Sequence, residues 1–345
     1  MSIPIPTEVF NKTLRYFLAP VADLLDDPAV REIMINGCDE IFVERGGGLE
    51  KTDVRFEDED QLLSAVTNIA QYVGRFIRAE EPRFDARLPE GHRVHVVLPP
   101  LSRNGISVTI RKHFSKTFTL QDMIDNGTLT QEAADFLEQC TLHRKNFIVS
   151  GGTGTGKTTL LNVLSSLIPE GDRIIVIEDS AELQIQQEHV VSLESRAPDR
   201  KGKGEITIRD LLHSSLRMRP DRIVIGECRG GEALDLLQAM NTGHEGSMST
   251  VHANSPTEAL KRLETLALYA GIDIPLRFLR AQVGAAVHVV AQVVRFKGRR
   301  MVREIMGLEG LDENENYRTV TLFDFDPKKD QLVATKDAKT FIGDD

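Results

Sequence analysis

The sequence predicts two domains, an α+β unit followed by an α/β unit with a mostly parallel sheet. Three observations carry this. The chain has 345 residues, more than one hydrophobic core ordinarily spans. In its second half, short apolar runs alternate with helical patterns, the signature of βαβ units. The stretch NFIVSGGTGTGKTTL, residues 146–160, matches G-x-x-x-x-G-K-[ST] between an apolar run and an amphipathic one. A strand, a glycine loop and a helix in that order is the context of a phosphate-binding loop.

The elements follow in order. Residues 1–30 form an N-terminal helical segment. In it Val9, Phe10, Thr13, Leu14, Phe17, Leu18, Val21, Leu24 and Leu25 recur at helical spacing from residue 7, with Pro20 breaking or kinking the run. Residues 31–112 form the α+β domain. Its strands are REIMING, EIFVER, TDVRF, RFDARL, HRVHVVL and ISVTIRK, with a turn in GGGLEK. A helix over 57–78 starts in an acidic first turn. HFSKTFTLQ, residues 113–121, is the linker.

Residues 122–345 form the α/β domain. The helix TQEAADFLEQCTLH precedes the glycine loop. Beyond the loop RIIVIE, ITIRDLLHSSLRM, RIVIGE, GGEALDLLQAMNTG, SMSTVHA and SPTEALKRLETLALYAG alternate strand with helix. A helix after Leu276 and two or three strands ending near Phe325 complete the domain, and the polar tail LVATKDAKTFIGDD is expected to fray.

Composition narrows the function classes. Hydrophobic content of 41% and charged content of 27% describe a soluble globular chain. A net charge of −10 argues against broad nonspecific nucleic-acid binding. The most apolar segment, 283–294, is broken by His288 and Gln292 and is too short to span a membrane. The N-terminus lacks a signal-type apolar core, so a cytoplasmic location is expected. Cys38, Cys140 and Cys228 are far apart and form no C-x-x-C pair, so no zinc site is expected.

The loop's residue types fit a nucleoside triphosphate. Gly151, Gly152, Gly154 and Gly156 let backbone N–H groups turn toward an anion, with Thr153 and Thr155 between them. The next helix points its positive dipole end at the same place. Lys157 supplies charge for the β- and γ-phosphates, the hydroxyl of Thr158 can ligate Mg²⁺, and Thr159 continues the first turn. A glycine loop that merely connects strand to helix is the alternative.

Two apolar strands end in acids, RIIVIED in Glu178 and Asp179 and RIVIGE in Glu227. In a parallel sheet, strand C-termini share the ligand edge. Glu227 and Glu178 are therefore candidates for the catalytic base and for holding Mg²⁺, directly or through water. Capping the next helix is the plainer reading. His244 in NTGHEGS and His252 in STVHAN are candidates to sense the γ-phosphate, against the alternative of ordinary satisfied histidines.

The order GGTGTGKTT, IEDSAEL, MRPDRIVIGECRGGEALDLLQAMNTGHEGSMSTVHAN closely resembles the secretion ATPases of type II and type IV systems, which are hexameric P-loop motors. Their Walker A, acidic, Walker B and histidine boxes match residues 151–158, Glu178 with Asp179, residues 223–227, and residues 243–252. The resemblance runs from about residue 30 to about residue 310 and implies a RecA-like P-loop ATPase domain using ATP and Mg²⁺. It also implies a homo-hexamer acting on an inner-membrane platform protein, and so peripheral membrane association. The wording is most similar to the CpaF-type ATPases of Tad/Flp pili, with conjugation-type ATPases the runner-up.

The resemblance further implies that the first domain lends arginines to the nucleotide. Arg87, Arg93 and Arg111 lie in the matching segments DARLPEGHRV and SVTIRK. A permanently charged fork suits this task and can be worth about 4–7 kcal/mol of barrier. Their alternative is pairing with acids such as Asp85 or Glu90. Arg217 and Arg219 are weaker candidates of the same kind. A nucleic-acid translocase and a nucleotide-regulated scaffold with little turnover are the competing functions.

Overall fold

The computed structural model describes residues 7–46, 48–113, 118–198 and 202–341. The chain divides into two compact units, 1–116 and 117–345.

In the first unit, α1 (Thr7–Phe17), a 3-10 turn (Ala19–Val21) and α2 (Ala22–Asp26) precede β1 (Val30–Asn36), β2 (Ile41–Arg45) and β3 (Gly48–Lys51). Then come α3 (Glu59–Tyr72), β4 (Arg83–Arg87), β5 (Arg93–Val97) and β6 (Ser107–Arg111). The six strands form one antiparallel sheet in the order β3-β2-β1-β6-β5-β4. Alternation decides the faces: Ile33, Ile35, Val94, Val96, Val108 and Ile110 point into a core shared with Leu14, Leu18, Leu62, Val66 and Ile69 of the helices.

Sequence expectations need correction at several places in this unit. Pro20 ends the first helix in the 3-10 turn, and Val30 already belongs to β1. TDVRF is not a strand. The third strand is GLEK, the segment in which a turn was expected, because the hairpin pairs Arg45 with Gly48 and Phe42 with Lys51. Phe56 serves instead as a buried plug, 1% exposed. Asp58 caps α3 by accepting from the Gln61 N–H at 2.7 Å, and a left-handed Gly74 (φ +69°) follows the helix end, short of residue 78.

Residues 114–117 of the expected linker lie outside the described residues. Its last residues belong to the second unit: Thr119 and Asp122 form a capping box that starts α4 (Leu120–Asp125). The unit continues with α5 (Gln131–Leu142), β7 (Phe147–Gly151), α6 (Lys157–Ser166), β8 (Ile174–Glu178), β9 (Val190–Glu194) and α7 (Ile208–Ser215). Next are β10 (Arg222–Ile225), α8 (Glu232–Asn241), β11 (Met248–His252), α9 (Pro256–Leu268) and α10 (Leu276–Ala286). The last elements are β12 (Val289–Phe296), β13 (Arg299–Leu311), β14 (Tyr317–Asp326), β15 (Gln331–Ala334) and α11 (Ala338–Phe341).

These nine strands make one sheet, β15-β14-β13-β12-β7-β11-β10-β8-β9. The pairings from β9 to β12 are parallel, and those from β12 to β15 antiparallel. Apolar cores lie on both faces. Val149 and Val224 join Leu137, Leu160 and Leu164 on one side, whereas Ile148 and Ile225 join Leu212, Leu237 and Leu263 on the other. The expected frayed tail is a correction: β15 pairs with β14, and the Phe341 ring lies 6.4 Å from that of Phe136. Gly307 leaves the space that Phe341 fills. No helix among the described residues is long and apolar enough to cross a membrane.

Candidate active site

The sheet brings the chemistry to one edge. β7 lies between β11 and β12, and its last residue, Gly151, sits opposite His252 on one side and Val293 on the other. A Cβ on Gly151 would overlap the Val293 carbonyl and approach Thr155 Oγ1 to 2.7 Å, so this position tolerates only glycine. The loop then turns through left-handed Gly154 and Gly156, at φ +68° and +102°. Gly156 is the N-cap of α6 and offers no capping side chain. The first-turn N–H groups of Lys157, Thr158 and Thr159 therefore face outward for an anion.

Three side chains brace the loop. Thr155 Oγ1 donates to the Gly152 carbonyl at 2.9 Å, Lys157 Nζ to the same oxygen at 3.0 Å, and Arg300 Nε to the Gly154 carbonyl at 2.9 Å. Lys157 is buried, 8% exposed, which lowers its pKa despite the nearby Glu227 carboxylate. Thr153 is exposed, while Gly152, Thr158 and Thr159 are half-buried.

Glu227, just past β10, meets this edge. Its Oε2 accepts from Arg229 Nε at 2.7 Å and lies 2.5 Å from Nη2 of the same guanidinium. His252 Nε2 lies 2.8 Å from Glu227 Oε1, and its Nδ1 lies 3.5 Å from Lys157 Nζ. His252 thus stands between the phosphate lysine and the acid. That contact with Oε1 is an approach without hydrogen-bond alignment, since the buried Oε1 completes no hydrogen bond among the described residues. Burial, and then the Lys157 charge, lower the His252 pKa and favour a neutral imidazole. Burial works against the Arg229 charge, yet the Glu227 hydrogen bond and field hold the guanidinium above its usual value.

The acids differ in duty. Glu178 is 4% exposed, and its Oε1 accepts from the N–H groups of Glu182 and Leu183 at 3.0 and 3.1 Å. It organises the loop after β8, and Gly226 leaves room for its Cγ, which a Cβ would meet at 3.0 Å. Asp179 accepts from Ser195 Oγ at 3.0 Å and from Arg229 Nη1 at 3.3 Å, so Arg229 bridges Asp179 and Glu227.

His244 is a correction. It ends the α8 turn four residues before β11 starts, whereas His252 ends that strand. Each strand residue advances about 3.3 Å, so the two histidines lie at opposite edges of the sheet. His244 Nδ1 lies 3.3 Å from the Ala239 carbonyl, and its own carbonyl accepts from Ser247 Oγ. Arg217 and Arg219 precede β10 and belong to that same far edge. There the buried Arg222 donates to Asp172 at 2.7 Å and to the carbonyls of Thr141 and Gly246.

In the first unit, register places Arg87 opposite Arg93 and Arg93 opposite Arg111, one row on the face away from the core. Glu32 continues the row, with Arg111 Nη2 3.6 Å from its carboxylate. Of the acids considered as alternative partners, Asp85 lies 2.7 Å from His95 and Glu90 lies 3.3 Å from Arg15.

Three residues escaped the sequence reading. Arg229 follows a strand-end acid by two positions, and that spacing was a usable signal. Arg300 had none, because it reaches the loop from a strand far along the chain. Gln292 announces itself as the polar residue inside VVAQVV.

Comparison with known proteins agrees with this geometry. The profile of the family described as "Type II/IV secretion system protein" matches residues 17–319. A putative conjugal transfer protein of Mycobacterium tuberculosis is 38% identical over 289 residues, covering 82% of each chain. A type IV secretion system protein VirB11 of Bartonella henselae is 30% identical over 324 residues, covering 84% of this chain and 91% of the relative. The X-ray structure of the Legionella pneumophila ATPase DotB shares the fold at a TM-score of 0.58 with 20% identity, over 87% of this chain and 82% of that one. These relatives are named for conjugal transfer and type IV secretion, so they favour that branch over the Tad/Flp branch suggested by wording alone. The chain belongs to the type II/IV secretion system ATPase family and is an ATP-hydrolysing enzyme.

Proposed function

We propose that this chain is the ATP-driven motor of a conjugation-type, type IV secretion machine. The observation that carries the reading is the Lys157–His252–Glu227 arrangement, with contacts of 3.5 and 2.8 Å, at the mouth of a glycine loop. A lysine ammonium, a neutral imidazole and a carboxylate meet there, which is what binding and hydrolysing a terminal phosphate needs.

The second unit is a RecA-like P-loop domain in this reading. Loop N–H groups from Gly151 to Thr159 and the Lys157 ammonium bind the triphosphate. On ATP binding, Lys157 exchanges the Gly152 carbonyl for phosphate oxygen. Glu227 orients and deprotonates the attacking water. Its buried Oε1, without a completed hydrogen bond, fits a group that needs an acceptor there. Mg²⁺ would be held by Thr158 and, through water, by Glu227 and Glu178, and would supply charge neutralisation on the β- and γ-oxygens. His252 faces the γ-phosphate and reports its loss to β11. Arg229 and Asp179 fix Glu227 from the outer side. Arg87, Arg93 and Arg111 serve as the cations lent by the first unit.

The working assembly is a homo-hexamer in the cytoplasm, docked on an inner-membrane platform protein. The decisive experiment measures phosphate release and DNA or protein transfer in the native host with Glu227→Gln. Both should be lost while ATP still binds. Parent-like hydrolysis sinks the motor reading, and loss of pilus assembly with transfer intact moves the protein to the Tad/Flp branch. Light scattering with a nonhydrolysable ATP analogue should give a six-subunit mass; a monomer with and without it removes the ring.

A further inference from the structure

We infer that Gln292 is a positioning residue that ties the phosphate loop to His252. It stands on β12 and is 2% exposed, among the valines and alanine of the run 289–294. Its partner across the parallel pairing is Ser150, the residue before Gly151. Ser150 Oγ donates to Gln292 Oε1, and Gln292 Nε2 donates to the Ala253 carbonyl at 3.3 Å. The network fixes the amide orientation, because a backbone carbonyl only accepts.

Ala253 follows His252, and His252 sits on β11, the strand on the other side of β7. One side chain therefore spans β7, with its oxygen on the loop's root and its nitrogen on the chain just past the histidine. Packing alone does not call for this arrangement. A valine or leucine would fill the interior, whereas a buried amide costs desolvation unless both ends are bonded. The bond to Ala253 holds the segment that leaves β11 and so sets where the His252 ring stands relative to Lys157.

This inference rests on the reading of His252 as the group facing phosphate. The test is Gln292→Met, which keeps volume and removes both hydrogen bonds, in the parent and in a His252→Ala background. Single-turnover hydrolysis should fall roughly tenfold to a hundredfold in the parent, as expected for a small misplacement of a reacting group. Affinity for a fluorescent ATP analogue should stay within about twofold. In the His252→Ala background the same substitution should cost almost nothing further. Additive losses, an equal fall in affinity and rate, or an unchanged parent rate overturn the inference. If His252→Ala alone leaves hydrolysis unchanged, the reading of the site falls as well. Should Gln292→Met not fold, Ser150→Ala cuts the loop arm alone and is held to the same outcomes.

Discussion

Gly246→Ala separates the two edges of the second sheet. Gly246 is buried at φ +79°, and a Cβ there would overlap the Arg222 guanidinium, with Cζ only 2.6 Å away. Alanine in that left-handed conformation costs about 1–2 kcal/mol. Arg222 must also leave Asp172, and breaking a buried ion pair costs about 3–5 kcal/mol. Arg144 still holds Asp172 at 2.6 Å, so the penalty falls on the stranded guanidinium. The sum is about 4–7 kcal/mol, against a typical total of about 5–15 kcal/mol. At about 2–4 °C per kcal/mol for a domain of this size, melting should drop by roughly 8–28 °C. Below that temperature, turnover per folded molecule should match the parent, because this edge lies away from the phosphate loop. Thermal melts and phosphate release on the same samples check both halves. A parent-like melt refutes the packing argument, and a folded but inactive variant refutes the assignment of His244 and Gly246 to a structural edge.

Four further outcomes are expected. Lys157→Ala should weaken ATP binding about tenfold to a hundredfold, the worth of a charge-assisted hydrogen bond, as measured by calorimetric titration. Glu227→Gln should lower kcat by about 10²–10⁴ and leave ATP affinity within a few-fold; equal losses in both would rule out a base. Arg229→Ala should slow turnover roughly tenfold by releasing Glu227, yet change stability by less than about 1 kcal/mol, since its side chain is 62% exposed. Stability should decline on acidification. Burial is the leading cause that lowers the pKa values of His92, His252 and His288, so their contribution is complete above the unfolded value of about 6.5 and is lost as pH falls below it. Glu304, pushed up by burial and Asp324, acts in the opposite sense as one group against three. A urea midpoint higher at pH 5 than at pH 7.5 contradicts this balance.

The loop, Glu227 and His252 were legible in the sequence because a parallel sheet collects strand C-termini at one edge, and apolar runs mark where strands end. The two histidines of one box looked equivalent because spacing along the chain does not say that a strand carries them through the sheet. Arg229 and Arg300 bind across space, to Asp179 fifty positions away and to Gly154 from β13, and local pattern holds no trace of such partners. β9 and β15 were missed for another reason. VVSLE and QLVA are short runs at sheet edges, where half-exposed residues dilute the alternation on which strand recognition depends. GLEK is entirely exposed, so backbone pairing alone makes it a strand.

The row Arg87, Arg93, Arg111 has a thermodynamic consequence of its own. Cations directly opposite one another repel, at about 0.2–1 kcal/mol per neighbouring pair, and Glu32 lies at the Arg111 end of the row. Register alone therefore sets three guanidinium groups side by side, held there by the pairing of the strands and not by attraction to one another. By linkage, an anion that prefers the folded sheet raises its melting temperature in proportion to the logarithm of its concentration. An anion long enough to lie along the row meets all three charges at once, so polyphosphate should stabilise the first unit more effectively than chloride at equal ionic strength.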